Sequence, residues 1–242
     1  MLDIRVMCFN IHHGVGTDRR YDLQRIKQVI KNSGADLVGL NEVDRHFSSR
    51  SDYQDQLKEL ANDLDYHWAF SPSINREKAS YPICQYGNVL LSKYPVIDQQ
   101  SHSINLLNGI AEKRSLLHAI VQMNNFQLNA FVTHLTMVPF LHRKQTDFVW
   151  KHTSPSLLPS VIFGDWNMMS GSKSWRKMAG SYNDAWAFAG KGNGKTHPSM
   201  KPKIRLDYLF VSAHFHIISC EVLKKAACAS DHLPVVCDLR IK

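Results

Sequence analysis

No stretch of this sequence approaches the roughly 18 consecutive apolar residues of a membrane-spanning helix, so no integral membrane association is expected. The N-terminal MLDIRVMCFNIHHG lacks a basic leader and a small-residue cleavage site, and Asp3 and Arg5 interrupt its apolar run. It reads as a first strand rather than a secretion signal. The five cysteines (Cys8, Cys84, Cys220, Cys228 and Cys237) are odd in number and contain no C-x-x-C pair. None sits in a recognisable nucleophile setting, and a reduced, cytoplasmic protein is the simplest reading. There is no internal repeat, low-complexity linker or composition break, so residues 1–242 are expected to form a single domain, and a monomer. Acidic residues are nearly missing between residues 166 and 206, where Asp184 is the only one. The same segment carries Lys173, Arg176, Lys177, Lys191, Lys195, Lys201, Lys203 and Arg205, almost the whole +8 net charge. It could draw in a phosphate-bearing substrate or be a solvated basic surface.

With 44% hydrophobic and 21% charged residues the chain can bury a sizeable core. Strand-like runs are expected at residues 4–11, 36–40, 86–92, 115–123, 127–135, 160–163, 206–211, 215–223 and 235–241. Helical spacing marks residues 22–31, 53–64 and 140–151. Asn124-Asn125 is a two-residue hairpin signal. Hairpins mixed with β-α-β steps indicate a mixed sheet, or two sheets packed face to face with helices outside.

Two tempting motifs fail. AGKGNGKT at residues 189–196 fits a loose phosphate-loop pattern, but Pro198 and Pro202 oppose the helix that such a loop needs after it. His214 and His216 could share a strand face, but no third metal ligand lies nearby in sequence. What holds is a series of polar residues at strand ends. Asn10 closes VMCFN, Glu42 follows VGLN, His134 sits in FVTHL, Asp207 opens LDYLFV, and Asp231-His232 precedes LPVV. In SVIFGDWNMMSG, Asp165 and Asn167 stand two apart, so an extended chain would project both the same way from the strand's end. Each alone has a dull reading as a turn, cap, surface charge or core histidine. Six such events in one chain do not.

Taken in order, FNIHHG, GLNEVD, YGNVLLS, THL, GDWN, RLDYLFVS and SDHLPVV resemble the motifs of the endonuclease/exonuclease/phosphatase superfamily, from residue 4 to residue 239. The resemblance implies an α+β, four-layer sandwich of the deoxyribonuclease I kind. In it, two mixed, mostly antiparallel β-sheets pack face to face with helices on the outer faces. It implies a metal-dependent phosphoesterase that attacks in line with an activated water. Glu42 resembles the principal ligand of Mg²⁺ or Mn²⁺, with Asn10 and Asp231 close by, an all-oxygen set. Asp165 resembles the residue that orients or deprotonates the water, and Asn167 one that holds a phosphate oxygen. His232 resembles the phosphate-stabilising histidine, Asp207 the carboxylate that orients it, and His134 the histidine across the scissile phosphate. Asn88 and Arg114 match positions near the phosphate.

Asn41 stands where many relatives carry glutamine, and THL resembles the deoxyribonuclease I, sphingomyelinase and deadenylase-like branches rather than the abasic-site branch. The substrate could be DNA or RNA, with Trp175, Tyr182, Trp186 and Phe188 stacking among the cations. The alternative is a lipid headgroup or small phosphorylated metabolite, with those aromatics in the core. A non-catalytic phosphate-binding module is a rival that should lack some catalytic groups, yet all are present.

Overall fold

The computed structural model describes residues 2–78, 81–105, 112–154 and 156–242. The chain runs β1 (Asp3–Asn10), α1 (Leu23–Ser33), β2 (Leu37–Arg45), α2 (Gln56–Leu64), β3 (His67–Lys78), β4 (Tyr81–Ser92), β5 (Val96–Ile104), β6 (Arg114–Met123) and β7 (Phe126–His134). It continues α3 (Pro139–His152), β8 (Ser160–Asp165), α4 (Lys173–Ala179), β9 (Asn183–Asp184), α5 (Ala185–Ala189), β10 (Asp207–Val211), β11 (Phe215–Val222) and β12 (Val235–Ile241). One sheet has the order β11-β12-β1-β2-β4-β3 and the other β5-β6-β7-β8-β10-β9. Each holds one parallel pair, β1 with β2 and β7 with β8, among antiparallel neighbours. This is the expected two-sheet α+β sandwich.

Continuous apolar runs such as Val6–Phe9 follow from burial on both faces. Val6 and Cys8 join Leu37, Val132, Val161 and Phe163 in the core between the sheets. Met7 and Phe9 face the other way, onto Ile26 and Ile30 of α1 and Leu57 and Leu60 of α2. On the far sheet Ile162 and Phe131 meet Val149 of α3 and Met178 of α4. Helix α1 begins on Asp22, whose carboxylate accepts the Gln24 and Arg25 N–H groups, and ends at Gly34 with φ 66°.

Where expectation and structure differ, edges account for most of it. Strands β3 and β5 are the outer strands of their sheets. The β5 sequence VIDQQSHSI is largely exposed and therefore polar, leaving no apolar run to find. The cysteines need a correction as well. Cys220 and Cys237 are opposed on β11 and β12 and joined by a disulfide, so they are not reduced thiols. Their separation of 17 residues hid a cross-strand pairing that only the register reveals. The aromatics of the basic segment present little free surface for stacking. Tyr182 is core, Trp175 and Trp186 pack against core clusters, and of the four aromatics only Phe188 is exposed. Lys177 pairs with Asp147 and Arg205 with buried Asp184. Among the described residues no helix is long and apolar enough to cross a membrane.

Candidate active site

The polar strand ends meet where the parallel strands of both sheets finish. Register does much of this. On one sheet Asn10 of β1 lies beside Asn41 of β2. On the other, His134 of β7 lies beside Asp165 of β8, which lies opposite Asp207 of β10. A row of histidine, carboxylate and carboxylate therefore crosses three strands. Buried Asn41 ties the two sheets together beneath it. Its amide donates to Asn88 Oδ1 at 2.7 Å and to the Thr133 carbonyl at 2.9 Å, and its Oδ1 accepts the Asp165 N–H at 2.9 Å.

Asn10 links the expected metal side to the expected water side. Its Nδ2 lies 3.1 Å from Glu42 Oε1 and 3.1 Å from Asp165 Oδ2. Glu42 sits at an irregularity in the β2–β4 pairing with φ 63°, which turns its carboxylate out of the alternating pattern and toward the cleft. Burial alone would raise its pKa, but the neighbouring His13 and His134 rings and the Asn10 amide more than offset this and hold it well below the carboxylate range.

Asp165 lies between two imidazoles, 3.5 Å from His134 Nε2 and 3.7 Å from His232 Nε2. Burial pushes its carboxyl upward, against the pull of the His232 charge. His232 Nδ1 is 2.8 Å from Asp207 Oδ2. Burial would lower the His232 pKa, yet the charges of Asp207 and Asp165 raise it to about 10, so the ring is an imidazolium near neutrality. Thr196, the last residue of the failed phosphate-loop motif, has a task here: its Oγ1 accepts the Leu206 N–H at the start of β10.

His134 is the opposite case. Burial, then the Arg114 charge, lowers it to about 3. Arg114 donates to its Nδ1 at 3.2 Å, which leaves the single ring proton on Nε2, facing Asp165 Oδ2. Asn167, with φ 47°, donates through Nδ2 to the Leu135 carbonyl and through its own N–H to Asp165 Oδ1. Arg114 Nε is buried without a hydrogen-bond partner among the described residues, while its Nη1 reaches Glu112 Oε1 at 3.1 Å. Asn88 is placed differently from expectation. Its Oδ1 accepts from Asn41 and its amide donates to Ser115, so it underlies the site and has no donor left for a phosphate while those bonds hold.

Asp231 is half-exposed, 3.9 Å from His12 Nδ1 and 3.8 Å from His197 Nε2. Among the described residues the compact groups of ionisable donors are His197–Asp231–His232 and Asp165–Asp207–His232. Of the expected ligands, Glu42 faces Asn10 and His13, while Asp231 faces His12 and His197. Glu42 Oε2 nonetheless has no hydrogen bond within reach, and the carboxylates with the Asn10 amide suit a hard divalent cation. Sequence reasoning missed His13, His197 and the bridging role of Asn41. The paired histidines of FNIHHG were the one available signal.

The family model of the Endonuclease/Exonuclease/phosphatase family matches residues 7–232. The chain is 24% identical to the uncharacterized protein YbhP of Escherichia coli K12, with 98% of this chain and 96% of that one covered. Its structure resembles an endonuclease/exonuclease/phosphatase from Beutenbergia cavernae at TM-score 0.82 and 26% identity, covering all of this chain (100%) and 72% of the other. It also resembles the mannosyl-6-phosphatase Bt3783 of Bacteroides thetaiotaomicron at TM-score 0.79 and 17% identity, covering 98% and 100%. With the profile spanning nearly the whole chain and the motif residues meeting in one cleft, this protein belongs to the endonuclease/exonuclease/phosphatase family, whose members hydrolyse phosphoesters.

Proposed function

We propose that this protein is a divalent-metal-dependent phosphoesterase that hydrolyses its substrate by in-line attack of an activated water. The observation that carries the reading is the His134–Asp165–Asp207 row closed by His232. Glu42, Asn10 and Asp231 would hold the cation, which supplies charge neutralisation at the phosphate oxygens when bound. Asp165, its affinity for protons raised by burial, accepts the proton of the attacking water. His232, cationic and fixed by Asp207, donates to a phosphate oxygen from one side. Neutral His134 with Asn167 and Arg114 offers donors from the other.

For the substrate, a groove of about 580 Å³ starts at Asn167 and is lined by Met137, Phe140, Met169, Arg143 and Lys173. Its mixed apolar and cationic walls suit a compact phosphoester whose remaining part carries an apolar face. With Tyr182 in the core and Trp175 and Trp186 half-buried, the basic segment presents little stacking surface, which favours a small phosphorylated metabolite or lipid headgroup. The mannosyl-6-phosphatase relative supports the same choice. The test is a panel of sugar phosphates, inositol phosphates, sphingomyelin, single- and double-stranded DNA and RNA, each with Mg²⁺, with Mn²⁺ and with chelator. Turnover of a small phosphoester or headgroup, abolished by chelator, is expected. Hydrolysis confined to DNA or RNA would overturn the substrate choice, and turnover that survives chelation would overturn the metal.

A further inference from the structure

His13 has no part in the chemistry above, yet it faces the open oxygen of Glu42. It lies in the HHG turn, His12–Gly14, that directly follows β1. His12 and His13 both have positive φ, 46° and 44°, a left-handed region that among residues other than glycine is populated mainly by Asn, Asp and His. The surroundings hold them there. The His12 N–H donates to Asn10 Oδ1 at 3.0 Å, the Gly14 N–H donates to the Ile11 carbonyl, and Gln56 donates to the His13 carbonyl at 2.7 Å.

The result is a side chain only 13% exposed, with Nδ1 buried, unpartnered, and 3.6 Å from Glu42 Oε2. That distance is too long for a hydrogen bond. It is close to the separation of two donors sharing one divalent ion, roughly 3.0–3.5 Å for bonds near 2.1 Å. A left-handed turn that buries an imidazole nitrogen without a hydrogen-bond partner among the described residues, aimed at the principal carboxylate, points to a ligand between them.

We propose that His13 Nδ1 is a metal ligand alongside Glu42, which makes the centre a mixed nitrogen–oxygen site that prefers Mn²⁺ to Mg²⁺. The ring binds as neutral imidazole with its proton on Nε2. A nitrogen donor favours the transition metal because Mg²⁺ is held poorly by imidazole. The proposal rests on the reading that Glu42 binds the cation.

The test uses the full chain loaded with Mn²⁺ and electron-spin-echo spectroscopy for directly bound ¹⁴N. His13→Asn is the informative variant, because Asn tolerates the left-handed backbone and replaces the nitrogen donor with an amide oxygen. His12→Asn controls for the neighbouring ring, and Glu42→Gln for the site itself. A ¹⁴N coupling in the wild type that disappears in His13→Asn and persists in His12→Asn is expected. Mn²⁺ affinity should fall about tenfold in His13→Asn while Mg²⁺ affinity changes less than about threefold. If Glu42→Gln loses Mn²⁺ but the wild type shows no ¹⁴N coupling, or one that survives His13→Asn, His13 is only a charge partner and the metal reading stands. If Mn²⁺ binding is indifferent to Glu42→Gln, both readings fall.

Discussion

At the scale of single residues, burial assigns the protons. Asp165 and His232 are both buried and 3.7 Å apart, and His232 is held between two carboxylates. The folded state therefore keeps the His232 proton up to a pH of about 10, whereas an unfolded histidine releases it near 6.5. Above about 6.5 unfolding releases a proton, so this contribution is full at lower pH and is lost as pH rises toward 10. Urea unfolding in chelator at pH 7.5, 8.5 and 9.5 should show wild type losing up to about 1.4 kcal/mol per pH unit relative to His232→Gln. Parallel curves would show that the ring is not held as an imidazolium. Glu42, Asp165 and His232 were legible because each stands in a short motif beside an apolar run. His13 and Asn41 were not, since what matters is the partner each meets across 29 and 124 residues, the Glu42 carboxylate for His13 and the Asp165 N–H for Asn41.

At the scale of elements, the two sheets approach so closely at Gly39 that the Phe163 side chain occupies the space a side chain there would need. A Cβ at Gly39 of β2 would collide with the Phe163 side chain of β8. Gly39→Ala should cost about 1–3 kcal/mol in chemical denaturation, through overpacking between the sheets that carry Glu42 and Asp165. An unchanged midpoint would mean that the sheets can separate freely there. Helix α2 acts at a distance through Gln56, whose Oε1 accepts the Asp44 N–H at 2.8 Å while its Nε2 holds the HHG turn. Central strands were readable from their apolar runs. Edge strands β3 and β5 were not, because each pairs with a strand on one side only and carries a largely polar sequence without a long apolar run.

At the scale of the whole molecule, the +8 net charge suggested a polyanion, but two cations of the basic segment are engaged within the fold, Arg205 with Asp184 and Lys177 with Asp147. A fluorescent oligonucleotide should therefore form a complex near 50 mM salt that is gone by about 200 mM, with no sequence preference. A tight complex surviving that change would restore the polynucleotide reading. The sandwich was legible from alternating strand and helix patterns together with ordered motifs. The cleft was not, because it is built by two parallel pairings in separate sheets and by the turn before β12.

The most direct measurement is hydrolysis of bis-p-nitrophenyl phosphate by wild type, Glu42→Gln and His232→Gln, with Mg²⁺ or Mn²⁺ and with chelator. Wild type should turn over only with metal, and each folded variant should be slower by about 10²–10³-fold. Turnover in chelator, or wild-type rates in either variant, would contradict a cation and a cationic histidine acting on one phosphorus centre.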